Sequence, residues 1–381
     1  MLNRITEIQS FLSHADYSLA VRRMLDITLD CGDNALLTKC IHWSKNYNTY
    51  VAANNKEGIP PDFFKDADQL LQQLQHFDKS GTIAPTMLID VDGISKKYSS
   101  SSFSLKPINL QIKTGDILGI VGENGNGKTT LLRCLSGELA LDTGNITYTT
   151  IEQADYYNIK HQVAFIPQRI PKWQGLLKDN LHFSAAIAGV TGAQNNLMVA
   201  FMLERLNLTD YAHLTWAKIS SGYRTRFEIA RILLQKPNLL ILDEPLANLD
   251  INAQQTILTD LRYLAKSVYH PMGIILSSQQ LHEVEKVADN VLLIKQGNCL
   301  FRTSDVVEIN NGDAIEIETV TERNTLIAIL GEHNVSLHYN GGFYTIISTT
   351  FTASDIVGKL LQHQVRITYF RDITHSTKRF F

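Results

Sequence analysis

Hydrophobic side chains at helical spacing dominate the first part of the chain. In Asp16–Asp30, apolar residues including Leu25 and Leu29 recur three and four positions apart, which places them on one face of an α-helix. The same reasoning predicts a second helix over Ala35–Tyr50 and a third over Asp62–Phe77, the third opening with an acidic candidate cap. The N-terminal part of the chain is therefore predicted to be all-α.

Two polar interruptions divide and end this helical part. Asn54–Pro61 contains one glycine and two prolines, which break the helical periodicity, and Asp78–Thr86 has the composition of a linker. The helical pattern carries no constellation of catalytic side chains. We predict that residues 1–80 form a helical interaction or regulatory domain.

Short apolar runs typical of β-strands begin at Met87 and alternate with helical patterns as far as residue 305. Asn238–Pro245 contains four consecutive apolar residues, as expected of a strand that is buried on both faces. A longer helical stretch over Leu177–Leu206 interrupts the alternation. This pattern predicts an α/β domain over residues 87–305, built on a sheet that contains parallel strands.

The last part of the chain, residues 312–381, has the pattern strand, helix, strand, strand, helix, strand. The two central strands flank Gly341 and Gly342, and the second helix has either Thr352 or Ser354 as its cap. This β-α-β-β-α-β order predicts a ferredoxin-like domain. It contains no paired carboxylates at a catalytic spacing, which favours a regulatory or dimer-supporting role.

The composition of the chain argues against nucleic acid, a membrane span and zinc as direct partners or features. Of the 381 residues, 44% are hydrophobic and 19% are charged, and the net charge of −3 gives no overall attraction for nucleic acid. Direct nucleic-acid binding is therefore not expected. No uncharged apolar run reaches the ~18 residues of a transmembrane helix, so a membrane process would need another chain. Four scattered cysteines without a C-x-x-C pair argue against a zinc site and suit a reducing compartment.

A glycine-rich motif follows the first apolar strand of the α/β part. Residues 122–129 read GENGNGKT, which fits the phosphate-loop pattern G-x-x-x-x-G-K-[ST]. In such a loop, backbone N–H groups converge on phosphate oxygens, Lys128 reaches the outer phosphates, and the Thr129 hydroxyl ligates Mg²⁺. The motif predicts ATP and Mg²⁺ as cofactors. The predicted nucleotide-binding residues here are Gly122, Asn124, Gly125, Gly127, Lys128, Thr129 and Thr130.

Two carboxylates follow the buried strand of Asn238–Pro245. Asp243 comes at the carboxyl end of the strand, where α/β sheets place ligand-binding groups, and is predicted to hold Mg²⁺. Glu244 comes next and is predicted to orient and activate the water that attacks the terminal phosphate. A solvated acidic turn would explain the charges, but not their combination with a phosphate loop.

With these motifs in order, the region Met87–Arg302 resembles the ATPase domain of ABC transporters. The resemblance implies that Tyr98 stacks on adenine and that Gln168 contacts Mg²⁺ or water and links the core to a helical subdomain. It also implies that Ser220 and Gly222 belong to the signature segment, which binds the phosphate held by an opposite subunit. Asp250 matches the family's D-loop, which spans residues 247–250 here.

Three positions depart from the family pattern. Ser221 and Tyr223 replace the usual residues of the signature LSGGQ, although a helix N-terminus still binds phosphate. Gln279 occupies the position of the switch histidine and is named here as a catalytic residue with Glu244. A glutamine amide donates a hydrogen bond but carries no proton or positive charge near neutral pH, so we expect slower hydrolysis. His282 is read as a surface residue.

The resemblance implies a head-to-tail dimer of ATPase domains, as a homodimer or heterodimer, because the chain has one phosphate loop. Gly175–Val190 and the C-terminal tail resemble segments of exporters for drugs, lipids or polymers. We therefore expect an ATPase subunit that drives a separate membrane permease from the cytoplasmic face of the membrane. A soluble ABC ATPase with a regulatory, defence or ribosome-associated role is the alternative.

Overall fold

The computed structural model describes residues 2–53, 58–76, 84–99, 103–247, 249–267, 270–302 and 312–374. Parts of the predicted interruption at 54–61 and of the linker at 78–86 lie outside these residues. Asn248 of the predicted D-loop and the end of the C-terminal tail, residues 375–381, also lie outside them.

The described N-terminal part consists of helices and short turns. The helices are Leu2–Ser13 (α1), Tyr17–Cys31 (α2), Asn34–Ala53 (α3) and Pro61–Gln75 (α4). The Asp16 carboxylate caps α2 by accepting from the Leu19 amide at 3.3 Å. The predicted acidic cap of the third sequence-derived helix is wrong. Pro61 is the first residue of α4, where its missing N–H costs nothing, and Asp62 lies inside the first turn.

These four helices share a continuous hydrophobic core with the helices of the middle region. Trp43 stacks on Phe63 with ring centroids 4.8 Å apart, and this pair ties α3 to α4. On the other side of α3, the Ser44 hydroxyl donates to Glu204 at 2.9 Å, and the Asn48 amide donates to the same carboxylate at 3.0 Å. The N-terminal helices are thus packed on the middle region by both apolar and polar contacts.

The middle region alternates strands and helices. Its strands are Met87–Lys97 (β1), Ser104–Lys113 (β2), Ile117–Val121 (β3), Thr143–Tyr148 (β4), Val163–Ile166 (β5), Leu239–Leu242 (β6), Gly273–Ser278 (β7), Asn290–Lys295 (β8) and Asn298–Arg302 (β9). Its helices are Lys128–Leu135 (α5), Tyr156–Gln162 (α6), Leu177–Ile187 (α7), Gly192–Arg205 (α8), Ser221–Leu233 (α9), Ile251–Ala265 (α10) and Leu281–Val284 (α11).

Two sheets organise these elements. One has the order β5-β6-β7-β3-β8-β9, in which the first five strands are parallel and β9 is antiparallel to β8. Every residue of β3, β6 and β7 is buried, which is the expected result for central parallel strands covered on both faces. The other sheet is antiparallel, with the order β2-β1-β4. The predicted α/β class with parallel strands is confirmed.

The C-terminal part contains Asp313–Thr319 (β10), Arg323–Leu330 (α12), Ser336–Asn340 (β11), Phe343–Ser348 (β12), Ala353–Gln362 (α13) and Ile367–Asp372 (β13). Its sheet has the order β11-β12-β10-β13. The hydrophobic core of this part is separate from the cores of the N-terminal and middle regions. Of the two candidate caps for α13, Thr352 is the one used, in a capping box with Asp355. Arg371 forms an ion pair of 3.2 Å with Glu285, just after α11.

Among the residues that the structure describes, no helix combines the length and the apolar character needed to cross a bilayer.

Candidate nucleotide site

Four neighbouring parallel strands of the large sheet end at one edge. The phosphate loop follows β3, Asp243 and Glu244 follow β6, and Gln279 follows β7. Gln168 lies two residues beyond the end of β5. Because the carboxyl ends of parallel strands form the ligand-binding edge of an α/β sheet, the fold itself brings these side chains together.

Glycines let the phosphate loop take its path. Gly125 and Gly127 have φ angles of +81° and +106°, a left-handed backbone that favours glycine, and Gly127 immediately precedes α5. A Cβ on Gly122 would lie 2.4 Å from the Ile294 carbonyl oxygen, so no side chain fits there. The loop therefore presents its amides and the N-terminus of α5 to the same space, as phosphate binding requires.

Thr129 and Asp243 form the oxygen-rich part of the site. The Thr129 hydroxyl donates to Asp243 Oδ2 at 2.7 Å, and Asp243 is almost fully buried. The buried Ser277 hydroxyl donates to Asp243 Oδ1 at 2.7 Å and accepts from the Glu244 amide at 2.9 Å. Ser277 thus positions both carboxylate residues. Sequence analysis missed it, although the polar residues that end the apolar strand β7 were a signal.

Glu244 is held by three side chains. Its Oε1 forms an ion pair with Lys128 Nζ at 3.0 Å, while its Oε2 accepts from the amides of Gln168 at 2.7 Å and Gln279 at 2.9 Å. Its φ of +48° is unusual for a residue with a side chain. Such backbone strain persists where the surrounding structure fixes a side chain for a task. Lys128 also donates to the Gly122 carbonyl oxygen at 2.7 Å.

Two aromatic rings close one side of the phosphate-loop hollow, which has a volume of about 400 Å³. The hydroxyl groups of Tyr98 and Thr130 lie 3.3 Å apart. The ring centroids of Tyr98 and Phe103 are 6.5 Å apart. Both rings line the hollow together with Asn124 and Gly125. Phe103 was missed from the sequence, because an aromatic residue near a loop has no motif to mark it.

The signature segment lies apart from this hollow. Ser220, Gly222 and Asp250 line a second surface hollow, with none of the phosphate-loop residues among its walls. Ser220 caps α9 by accepting from the Tyr223 amide at 3.5 Å, and Asp250 caps α10 by accepting from the Ala253 amide at 2.9 Å. Tyr223 packs on Tyr211. Burial, and to a smaller extent the contact with Tyr211, raises the pKa of Tyr223 to about 12. His282 is exposed, as predicted.

A phosphate loop that is joined to a strand-end aspartate and glutamate at the carboxyl edge of a parallel sheet defines a class of protein, the P-loop nucleotide-binding ATPases.

Comparison with known proteins narrows this class. A family model described as ABC transporter matches residues 105–247. The linearmycin resistance ATP-binding protein LnrL of Bacillus subtilis is 30% identical over 248 residues, which cover 64% of this chain and 78% of that protein. The chain belongs to the ABC transporter family, as an ATP-binding protein and an ATPase.

The names of other relatives indicate different functions. The phosphonates import ATP-binding protein PhnC of Treponema denticola is 28% identical over 229 residues, covering 56% of this chain and 89% of that protein. ABC transporter A family member 8 of Dictyostelium discoideum is 28% identical over 237 residues, and the match spans 27% of its length. A solved structure, cbiO1 from Clostridium perfringens, shares the fold with a TM-score of 0.51 and 24% identity, covering 59% of this chain and 95% of that one.

Proposed function

We propose that this chain is the ATP-hydrolysing subunit of an ABC exporter, driving a separate membrane permease through ATP-dependent pairing of two ATPase domains. The observation that carries the proposal is the meeting of Lys128, Thr129, Asp243 and Glu244 at one sheet edge, with the signature segment on a separate surface.

Lys128 and Glu244 have different roles in ATP hydrolysis. Lys128 binds the β- and γ-phosphates of ATP, and to do so it leaves the 3.0 Å ion pair with Glu244. The freed Glu244 carboxylate then accepts a hydrogen bond from the attacking water and orients it toward the γ-phosphorus. Gln168 and Gln279 hold the other carboxylate oxygen, so that Glu244 keeps its place while Lys128 moves. Tyr98, with Phe103, stacks on adenine.

The donors present fit Mg²⁺. Thr129 and Asp243 offer one hydroxyl and one carboxylate, and Gln168 lies on the neighbouring strand end. The described residues contain no group of three or more His, Cys, Asp or Glu side chains that could hold a metal ion. Hard oxygen ligands in small number are what Mg²⁺ uses when substrate phosphates and water complete its shell. Bound there, the ion would neutralise charge on the phosphates.

Pairing of two domains follows from the separation of the two hollows. Together with Asp250, Ser220 and Gly222 line a hollow that lies outside the phosphate-loop hollow of their own chain, and they place a hydroxyl and a backbone amide, both able to bind phosphate, at the start of α9. In a head-to-tail pair, these groups would face the γ-phosphate bound by the partner. The pair is a homodimer or a heterodimer.

Coupling to a permease places this chain at the cytoplasmic face of a membrane. The exposed Phe183 and Ile187 lie one helical turn apart on α7, in the segment that follows Gln168. An exposed apolar pair in the helical segment that follows Gln168 is a fitting contact for a partner helix. The similarity to a linearmycin resistance protein supports export, whereas the similarity to phosphonate import proteins supports the opposite direction.

The two flanking parts complete the proposal. Residues 1–80 act as a helical interaction or regulatory domain and residues 312–381 as a ferredoxin-like domain with a regulatory or dimer-supporting role, with the ATPase domain between them over 87–305. The strand order β11-β12-β10-β13 supports the ferredoxin-like fold, and the Arg371–Glu285 ion pair links this domain to the ATPase domain just after α11.

The experiment compares purified wild-type, Lys128→Ala and Glu244→Gln proteins in Mg-ATP. We expect Lys128→Ala to lose hydrolysis and most ATP binding, and Glu244→Gln to bind ATP, hydrolyse it at least about 100-fold more slowly and accumulate as a dimer. Wild-type hydrolysis by Lys128→Ala would refute the site. A monomeric Glu244→Gln protein in Mg-ATP would refute the pairing.

The same Glu244→Gln protein tests the partner. Tagged and purified in mild detergent with Mg-ATP, it should recover a multi-span membrane protein, and Phe183→Ser should reduce that recovery without changing ATP binding. Recovery of ribosomes or of a soluble effector alone would favour the non-transport alternative. Substrate efflux measured in vesicles with the recovered permease then distinguishes export from import.

A further inference from the structure

A cavity of about 440 Å³ lies where the N-terminal helices meet the ATPase region. It is lined from α2 and α3 on one side, from α8 on a second and from α10 on a third. It is distinct from the nucleotide hollow, because none of the phosphate-loop residues lines it. Its size falls within the ~300–1,000 Å³ that is typical of small-molecule sites.

The walls of the cavity are mainly apolar. Its apolar lining includes Leu29, Leu37, Met198, Phe201, Met202 and Leu264. Methionine side chains fill irregular space and adapt to the shape of a bound molecule, and two of the lining methionines lie on α8. The walls therefore fit the apolar body of a ligand.

Charged side chains of both signs line the cavity, and two oppositely charged pairs lie among them. Arg205, which is 2% exposed, donates to Asp26 at 2.6 Å, and Arg4 donates to Asp30 at 2.5 Å. Within the part of the chain that the structure describes, the buried atoms Arg4 Nε, Asp26 Oδ2 and Arg205 Nη2 have no hydrogen-bond partner. Buried polar atoms normally have a hydrogen-bond partner, so these residues could still form hydrogen bonds with a ligand.

The two ion pairs, Arg205–Asp26 and Arg4–Asp30, favour a ligand without a net charge. At these two pairs an anion would lie beside Asp26 and Asp30, and a cation would lie beside Arg4 and Arg205, so an ionised group of either sign would have to disrupt an existing pair. The other charged lining residues, Arg23, Asp33 and Lys236, also include both signs. An uncharged polar group meets no such opposition and can hydrogen-bond to a guanidinium or a carboxylate.

We propose that this cavity binds a neutral amphipathic small molecule, with its apolar body against α8 and its uncharged polar head against the Arg205–Asp26 and Arg4–Asp30 pairs. Because one occupant would contact α2, α8 and α10 together, binding would fix how these helices pack. Helix α10 begins directly after Asp250, and α8 lies in the helical stretch that follows Gln168, so binding also changes the rate of ATP hydrolysis.

The test uses the full chain and the neutral solvatochromic naphthalene ketone prodan. We expect a saturable blue shift of prodan emission at a stoichiometry of one, a raised melting temperature and a changed ATPase rate. The anionic 1-anilinonaphthalene-8-sulfonate should bind about tenfold or more weakly at this site, because its charge cannot be paired there. Tighter binding of the anion would overturn the assignment of ligand class.

Two variants fill the cavity from opposite walls, Leu29→Trp on α2 and Leu264→Trp on α10, and Leu361→Trp on the exposed face of α13 is the matched control. Each cavity variant that retains the wild-type circular dichroism spectrum should bind prodan about tenfold or more weakly, while the control keeps wild-type affinity. The absence of saturable prodan binding to the wild type, or unchanged binding to a folded cavity variant, would overturn the proposal.

Discussion

Replacing Arg205 tests the attachment of the N-terminal helices to the ATPase core. This buried guanidinium on α8 donates to Asp26 on α2 at 2.6 Å and to Asp260 on α10 at 2.5 Å. Burial alone lowers the pKa of the Arg205 guanidinium, but the two carboxylates outweigh it and hold that pKa above its ordinary value. Arg205→Met keeps a long apolar stem and removes the charge, so Asp26 loses this cation and Asp260 keeps only Arg22, whose Nη1 is 3.4 Å away.

The expected loss is large because Asp260 stays buried. Its side chain is 3% exposed, whereas that of Asp26 is 16% exposed and is partly solvated. Removing one partner of a buried pair typically costs about 3–5 kcal/mol, mainly through the charge left behind. The two pairs share one guanidinium, so their costs do not add. We expect the free energy of unfolding to fall by about 3–5 kcal/mol in total.

The loss should depend on pH in a defined direction. Burial raises the pKa of Asp26 above its ordinary value, and Arg205 opposes this rise. In the variant, the opposing cation is gone, so the folded-state pKa lies further above the unfolded-state value of ~3.9. Protonation then favours the folded state. The deficit of the variant is therefore greatest near neutral pH and shrinks as the pH falls through the raised pKa toward ~4.

Urea unfolding followed by tryptophan fluorescence and circular dichroism measures the effect. Arg262→Met, on the exposed surface of α10, is the control and should change stability by no more than about 0.5 kcal/mol. Adding Asp26→Asn and Asp260→Asn to Arg205→Met removes the stranded charges and should recover about 2 kcal/mol or more. If this triple variant is no more stable than Arg205→Met, the cost arises from packing, and the charge argument is refuted.

Four further predictions address the site and the flanking parts. Ser277→Ala should lower kcat about tenfold with little change in KM, because the hydroxyl orients both carboxylate residues, and an unchanged kcat would contradict that role. Gln279→His should raise kcat or leave it unchanged in steady-state assays, whereas a large loss would mean that the Gln279 amide is itself required. Thr352→Ala should destabilise the C-terminal part by about 1 kcal/mol in thermal unfolding, and Thr352→Ser should recover most of this loss. At pH 8, iodoacetamide should modify Cys299 and spare Cys40, whose pKa burial raises to about 12, and mass spectrometry of the native protein would reveal any exception.

Much of the fold was predictable because its signals are local. The apolar runs of β3 and β6 and the capping pattern at Thr352 depend on short-range physics, and the structure has each of them in place. The phosphate loop and the Asp243–Glu244 pair were predictable for a related reason. Strand order brings strand ends to one sheet edge, so motifs far apart in sequence meet without long-range information.

The contacts of Arg205, Glu204 and Ser277 were not predictable. Each joins side chains far apart in sequence, such as Arg205 with Asp26 or Glu204 with Ser44, and no periodicity marks such partners. The amphipathic pattern of the N-terminal helices indicates that one face is covered, but not by what. The sequence therefore predicted a helical part correctly without indicating that it shares a core with the ATPase region.

The ion pair between Lys128 and Glu244 competes with ATP for the ammonium group of Lys128. Every ATP molecule that binds must replace Glu244 as the partner of Lys128, so part of the intrinsic phosphate affinity is used to break a nearly buried contact of 3.0 Å. After cleavage, departure of the γ-phosphate allows the pair to re-form, which favours release of ADP. The same carboxylate thus sets both how tightly ATP is held and how readily the products leave, and a neutral glutamine at position 244 would shift both in the direction of retention.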